Sequence, residues 1–215
     1  MSSIQAREAL VQAYSQLLVA GLGTGSSGNV SLRHDNGMLI TPTGIEPANL
    51  DAAQMVAITL AGEVAPGQLL PSSEWQMHAA IYQAREDVNA VVHCHSRHAT
   101  ILACAHMAIP PLHYMIAVAD ASEIPLAPYA TFGTQALAQS AAEGLGTGLA
   151  CLLANHGQIA AGVDLAQALK VATEVEELAA IYWGSLAIGG GQVLSDSNME
   201  EVREAFATYG QQRSD

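Results

Sequence analysis

Residues Ala90-Val91-Val92-His93-Cys94-His95-Ser96 decide how the chain is read. The apolar run at the front predicts a buried strand, and two histidines two residues apart extend it. On a strand, residues i and i+2 share a face. His93 and His95 therefore bring two imidazoles to one point, and Cys94 faces away. Neutral imidazole is the commonest protein ligand for divalent transition metals. The stretch predicts a metal-assisted enzyme, with the remaining ligands, a substrate anchor and a proton carrier supplied from elsewhere in the chain.

Upstream, Ser3 to Ala20 sets Ala9, Leu10, Ala13, Tyr14, Leu17 and Leu18 at helical spacing, and Gly21 and Gly23 stop the helix. A short loop rich in donors follows, Thr24-Gly25-Ser26-Ser27-Gly28-Asn29. Val30 to Leu32 and Met38 to Thr41 predict a hairpin about His34-Asp35-Asn36-Gly37, since Asn-Gly is a turn signal. Gln54 to Leu60 and Glu63 to Val64 predict a second hairpin about Ala61-Gly62. Pro71-Ser72-Ser73-Glu74 opens a helix carrying Trp75, His78, Ala79, Ile81 and Tyr82, with serines at the cap and a glutamate in the first turn.

Downstream, Arg97 to Met107 reads as a helix, and Ile109 to Ala119 is apolar without a clear period. Phe132 to Glu143 is an amphipathic helix. Leu149 to Ala154 is a buried strand, Asn155-His156-Gly157 a turn, and Gln158 to Ala161 a strand again. Asp164 caps a long helix to about Ala187, and a last helix starts near Ser197. Helices and strands alternate irregularly, with hairpins between them. The pattern predicts a single α/β domain over residues 1–215, a mixed central β-sheet covered by helices in α/β/α layers.

Composition narrows the partners. Twenty acidic residues against 7 basic ones give a formal net charge of −13, which argues against nucleic acid and anionic membrane. An anionic ligand must then be held by neutral donors and a metal. The longest apolar candidate for a membrane span, Ala99 to Ala119, is interrupted by His106, His113, Pro110 and Pro111. The start, Met1 to Glu8, reads as a helix without a signal-peptide core, so the expected location is cytoplasmic. Cys94, Cys104 and Cys151 match no disulfide framework, and each reads as a small buried hydrophobe.

A catalytic metal site usually has three protein ligands and an open position. Among the other histidines His156 stands out, because it ends a buried strand in a tight turn before glycine. Taken alone it reads equally as a hydrogen-bonding turn residue. Glu74 at a helix start serves the helix dipole in the plain reading and acts as metal ligand or general base in the functional one. Ser72 and Ser73 are caps or anion donors, and Thr24–Asn29 and Thr43-Gly44 offer the same neutral chemistry to a phosphate.

Together these residues resemble the class II aldolase/adducin superfamily, and most closely its L-fuculose-1-phosphate aldolase branch. The likeness covers nearly the whole chain. It includes Gly28-Asn29-Val30-Ser31, Ile40 to Gly44, Pro71 to Trp75, Val91 to Ser96, Ile109 to Tyr114, Ala127 to Gly133, Asn155-His156-Gly157 and the tail around Tyr209. The resemblance implies zinc held by His93, His95 and His156, with Glu74 completing the resting coordination and then acting as base. It implies phosphate donors at Asn29, Thr43, Gly44, Ser72 and Ser73, and a proton donor to the aldehyde oxygen at Tyr114. Tyr209 matches a tail tyrosine that closes over the site, and Phe132 an aromatic at the aldehyde pocket. It further implies a homotetramer with active sites at subunit interfaces.

The implied reaction is reversible cleavage of a ketose 1-phosphate to dihydroxyacetone phosphate and an aldehyde, through a metal-stabilised enediolate. The fuculose-phosphate branch shows two histidines before the turn glycine, where this chain has Asn155-His156. Pentose-phosphate 4-epimerases carry aspartate in place of Glu74, which favours the aldolase. Decarboxylases of 3-oxo-tetronate phosphates and methylthioribulose-phosphate dehydratases share similar metal motifs and stand as the alternative. A non-enzymatic adducin-like chain is expected to have lost ligands, whereas all four are present here. The cupin, another architecture with H-x-H, is all-β and conflicts with the long helical patterns.

Overall fold

The computed structural model describes residues 3–206. In chain order the strands are β1 (Asn29–His34), β2 (Gly37–Ile40), β3 (Val56–Thr59), β4 (Ala90–Cys94), β5 (Leu126–Ala127), β6 (Ala150–Leu153) and β7 (Gly157–Gly162). The helices are α1 (Ser3–Val19), α2 (Trp75–Ala84), α3 (Arg97–Cys104), α4 (Gln135–Leu145), α5 (Leu165–Ala187) and α6 (Asp196–Phe206). One seven-stranded sheet runs β3-β2-β1-β4-β7-β6-β5. Its pairings are antiparallel except β5 with β6, so the sheet is mixed, as the sequence predicts.

β4 lies at the centre of the sheet, and all of its residues are buried. A strand covered on both faces reads as a continuous apolar run, which Ala90-Val91-Val92 is. Alternation then sorts the side chains into two cores. Val30, Leu39, Val92, Cys94 and Leu152 pack under α1, α3 and α5. Met38, Ile58, Val91, Leu153 and Ile159 pack under α2 and α4. This gives the α/β/α layering, and Cys94 points away from the His93 face as expected.

Local chemistry explains several boundaries. The β1–β2 turn places Asp35 at φ 49°, left-handed backbone that Asp tolerates better than most residues. Asp164 caps α5 by accepting from the Gln167 amide at 2.8 Å. α3 ends at Cys104 rather than Met107, because His106 turns into the left-handed region at φ 56°. α4 starts at Gln135 behind a Thr134 cap, leaving Phe132 and Gly133 in the preceding turn. The second predicted hairpin shrinks to a single bridge, Ile58 with Val64, since β3 takes β2 as its partner. Ile109–Ala119 resolves into a bridge from Ile109 to Ile124 and a 3₁₀ turn over Tyr114–Ala119. The two-residue strand β5 carries too little pattern to be read from sequence. Cys104 is exposed at the end of α3, unlike the buried Cys94 and Cys151.

Candidate active site

Three imidazoles and a carboxylate meet at one end of the sheet. His93 is the penultimate residue of β4, paired across β1 with Asn29 and across β7 with Ile159. His95 follows just past the strand end, and His156 comes from the turn joining β6 to β7. Glu74 sits at the N-cap position of α2, where its side chain makes no cap bond. The expected dipole-serving carboxylate is therefore turned away from its helix and toward the histidines. Ligand atoms of Glu74, His93, His95 and His156 all lie within 4.8 Å of one another. His93 Nε2 is 3.0 Å from His95 Nε2 and 3.3 Å from Glu74 Oε2, and His156 Nε2 is 3.2 Å from Glu74 Oε1. The three rings form a nearly equilateral set, with centroids 4.7 to 4.9 Å apart.

Two glycines allow this convergence. A Cβ on Gly157 would lie 2.5 Å from the Cys94 carbonyl, so only glycine lets β7 approach the end of β4. Gly28 combines φ +87° with a Cβ position 2.8 Å from the His93 carbonyl. Asn155, at φ 54°, makes the left-handed turn that presents His156. Its side chain accepts from His106 Nε2 at 2.7 Å, tying the turn to the end of α3.

The donor set fits a divalent ion. Tetrahedral bonds of about 2.0–2.2 Å separate ligand atoms by roughly 3.3–3.6 Å, close to the spacings found here. Glu74 Oε1 is buried and, apart from His156 Nε2 at 3.2 Å, has no partner among the described residues. His93 Nδ1–H donates to the Gln158 carbonyl at 2.8 Å, which fixes the ring so that Nε2 points into the cluster, toward Glu74 Oε2 and toward the place an ion would take. Burial by itself raises the Glu74 carboxyl, but His93 and His156 outweigh it and hold it well below the usual carboxylate range. His95 is pushed down to about 4 by desolvation and then by His93 and His156, so it is a neutral imidazole near pH 7. Burial drives the Cys94 thiol up to about 12, which makes it packing and not a nucleophile.

A cavity of about 280 Å³ opens on the cluster, lined by Ser73, Glu74, His95, Tyr129, Phe132 and His156 among others. Among the described residues no Lys or Arg lines it, in keeping with an anion held by neutral donors. Arg97 borders a second cavity, which shares His95 with the first. Thr43 and Gly44 are carried beside Ser72 by backbone bonds, Thr43 N to Leu70 O at 3.1 Å and Ser72 N to Thr41 O at 3.0 Å. Ser72 Oγ accepts from the Glu74 amide at 3.3 Å. Asn29 is buried and donates from Nδ2 to Glu74 Oε2 at 3.0 Å, so it touches the carboxylate directly. Phe132 stands 67% exposed at the cavity mouth. Tyr114 does not line the cavity; it starts the 3₁₀ turn, 48% exposed, with its ring 6.3 Å from that of Phe206. Tyr209 lies outside the described residues.

Reading by residue type missed three contributors. Gln158 orients His93 through its carbonyl, and its side chain donates to Ser96 Oγ at 2.7 Å. Tyr129 shares the cavity mouth with Phe132. His78, which the helical period sets in line with Trp75, Ile81 and Tyr82, hydrogen-bonds through both ring nitrogens. Its place four residues after Glu74, on the same helix face, was the available signal.

Comparisons with known proteins identify the family. The pattern described as "Class II Aldolase and Adducin N-terminal domain" matches residues 8–183. The chain is 45% identical over 209 residues to a Rhodospirillum rubrum protein named 5-methylthioribulose-1-phosphate/5-deoxyribulose-1-phosphate aldolase, covering 97% of this chain and 94% of the relative. It is 49% identical over 191 residues to an L-fuculose phosphate aldolase of Escherichia coli, covering 88% of each. A solved structure titled L-fuculose 1-phosphate aldolase superposes with a TM-score of 0.92 at 39% identity, over 96% of this chain and 98% of the other.

Proposed function

The chain belongs to the class II aldolase and adducin family, and from that membership we propose a zinc-dependent aldolase that reversibly cleaves a ketose 1-phosphate to dihydroxyacetone phosphate and an aldehyde. The supporting observation is the convergence of His93, His95, His156 and Glu74 beside a cavity that, among the described residues, no Lys or Arg lines. A divalent ion held there supplies Lewis-acid stabilisation of the negative charge that develops on substrate oxygens as the carbon–carbon bond breaks. Glu74, ionised beside the histidines, carries the proton to and from the reacting carbon. Ser72, Ser73, Thr43, Gly44 and Asn29 hold the phosphate through hydroxyl and amide donors, which orients the reacting carbons. In the condensation direction Tyr114 gives a proton to the aldehyde oxygen, and in cleavage it takes it back, reaching the site from a neighbouring copy in a homotetramer.

The aldehyde fragment draws a shared feature from the relatives' names. Cleavage of fuculose, 5-deoxyribulose or 5-methylthioribulose 1-phosphate leaves an aldehyde ending in a methyl group. Tyr129 and Phe132, exposed at the cavity mouth, offer that methyl an apolar surface. We therefore place the substrate among ketose 1-phosphates with an apolar tail, and the fuculose type remains the first choice.

A product assay against a panel of ketose 1-phosphates and sugar-acid phosphates tests the reading. The expected products are dihydroxyacetone phosphate and an aldehyde, with full loss after chelation and recovery with Zn²⁺. Release of carbon dioxide from a sugar-acid phosphate, with no dihydroxyacetone phosphate from any ketose, replaces the aldolase by a decarboxylase.

A further inference from the structure

Beneath the ligand cluster a line of buried polar side chains runs from Glu74 away from the cavity. Asn29 Nδ2 donates to Glu74 Oε2 at 3.0 Å, and Asn29 Oδ1 meets His78 Nε2 at 2.5 Å. His78 Nδ1 meets Ser31 Oγ at 2.6 Å, and Ser31 Oγ meets the Tyr82 hydroxyl at 2.7 Å. Asn29, Ser31, His78 and Tyr82 are all buried. Asn29 and Ser31 share one face of β1 by their spacing of two, and His78 and Tyr82 share one face of α2 by their spacing of four.

Each bond in the line determines the next. The Glu74 carboxylate only accepts, so the Asn29 amide must turn Nδ2 toward it and Oδ1 toward His78. His78 must then carry its proton on Nε2, leaving Nδ1 to accept from the Ser31 hydroxyl. The remaining lone pairs of Ser31 face Tyr82, whose hydroxyl donates across 2.7 Å, with the Asn89 carbonyl as a longer second acceptor at 3.5 Å. Arg33 anchors the far end: it lies 4.8 Å over the Tyr82 ring and donates to the carbonyls of Tyr82, Arg85 and Val88. Burial pushes His78 down to about 3, in keeping with a neutral ring. Filling this space needs only an apolar side chain. A buried imidazole bonded at both nitrogens carries a desolvation cost that phenylalanine lacks, and its directional bonds are what it adds.

We propose that His78 is a positioning residue, which holds the Asn29 amide and through it the orientation of the Glu74 carboxylate, while Ser31 and Tyr82 select the required Nε2–H tautomer. The inference rests on the aldolase reading for its kinetic test and stands apart from it in its spectroscopic one. In metal-free wild-type protein near neutral pH, long-range ¹H–¹⁵N spectra are expected to show His78 as the neutral Nε2–H tautomer. An Nδ1–H tautomer or an imidazolium overturns the proposal.

With the metal-loaded enzyme, His78→Phe is expected to keep its circular dichroism and one metal per chain. Its kcat is expected to fall roughly 10–100-fold, as for other groups that orient a metal ligand, with KM changed far less. His78→Gln, whose amide donates from nearly the Nε2 position, should recover most of that loss. Wild-type kcat in His78→Phe, or a glutamine variant as slow as the phenylalanine one, removes the positioning role. Should His78→Phe fail to fold, Tyr82→Phe deletes the last donor of the line, together with that hydroxyl's long bond to the Asn89 carbonyl. A fall in its kcat of roughly threefold or more, at unchanged metal content, supports the proposal, and a wild-type kcat refutes it. A wild type that cleaves no ketose phosphate defeats the aldolase reading and leaves the tautomer result standing.

Discussion

Glu74 shows how neighbours outrank burial at a single residue. Burial opposes its charge, yet His93 and His156 keep it ionised and available as a base. Glu74→Gln keeps three imidazole ligands, so metal content is expected to persist, while hydrogen exchange at the reacting carbon of dihydroxyacetone phosphate drops about 10²–10⁴-fold. Deuterium wash-in followed by NMR measures it, and unchanged exchange removes Glu74 as the base. His78 makes a pH prediction whose sign follows from its depressed value. The unfolded chain binds this proton near pH 6.5, the folded one only near about 3. Stability is therefore complete above the unfolded value and is lost as pH falls from there toward about 3, at about 1.4 kcal/mol per unit. Urea unfolding of the metal-free protein at several pH values should show that slope, and His78→Phe should flatten it. Asn155 carries a separate backbone cost. Asn155→Ala is expected to lose about 1–2 kcal/mol from the left-handed turn, and Asn155→Gly to recover most of it, read by thermal melting.

At the scale of elements, the junction of β4 with α3 holds His95, and the first turn of α3 is tied down from outside. Ser96 stands at the N-cap yet makes no side-chain cap bond, because its Oγ accepts from Gln158. Glu176 of α5 replaces it, accepting from the amides of His98 and Ala99 at 2.9 and 3.0 Å and from His98 Nδ1 at 2.8 Å. A cap supplied by another helix couples α5 to the placement of His95. Glu176→Ala is expected to cost about 1–2 kcal/mol of stability and to weaken metal affinity, measured by denaturant unfolding and competitive chelator titration. Wild-type affinity in that variant would show that the strand alone places His95. Gly157→Ala drives a Cβ into the Cys94 carbonyl, so this variant is expected to lose bound metal even where it still folds.

For the whole molecule, the position of Tyr114 outside the cavity leads to a test of the shared-site assembly. His93→Ala and Tyr114→Phe are each expected to be nearly inactive alone. Mixed and reassembled, they should regain part of the activity if ligands and proton donor come from different copies. No regain in mixed oligomers, verified by native mass spectrometry, would place both residues in one chain's site. Much of this architecture was legible in one dimension. The apolar run before His93, the turn signals about Gly37 and Gly157, and the Asp164 cap each act through neighbours within a few residues, so period and propensity disclose them. The α/β layering and the candidate ligands His93, His95, His156 and Glu74 follow from such local signals and the family likeness. The sequence could not disclose which side chains meet across the sheet. The strand partner of β3, the cap from Glu176 and the line from Glu74 through Asn29 to Tyr82 join residues 40 to 80 positions apart or belong to pairings with no local pattern. Sequence alone determined that this chain forms a layered α/β fold carrying a histidine pair. Only the tertiary structure decided that Glu74 turns from its helix to the histidines, because register and packing across β1, β4 and β7 bring those atoms within hydrogen-bonding reach.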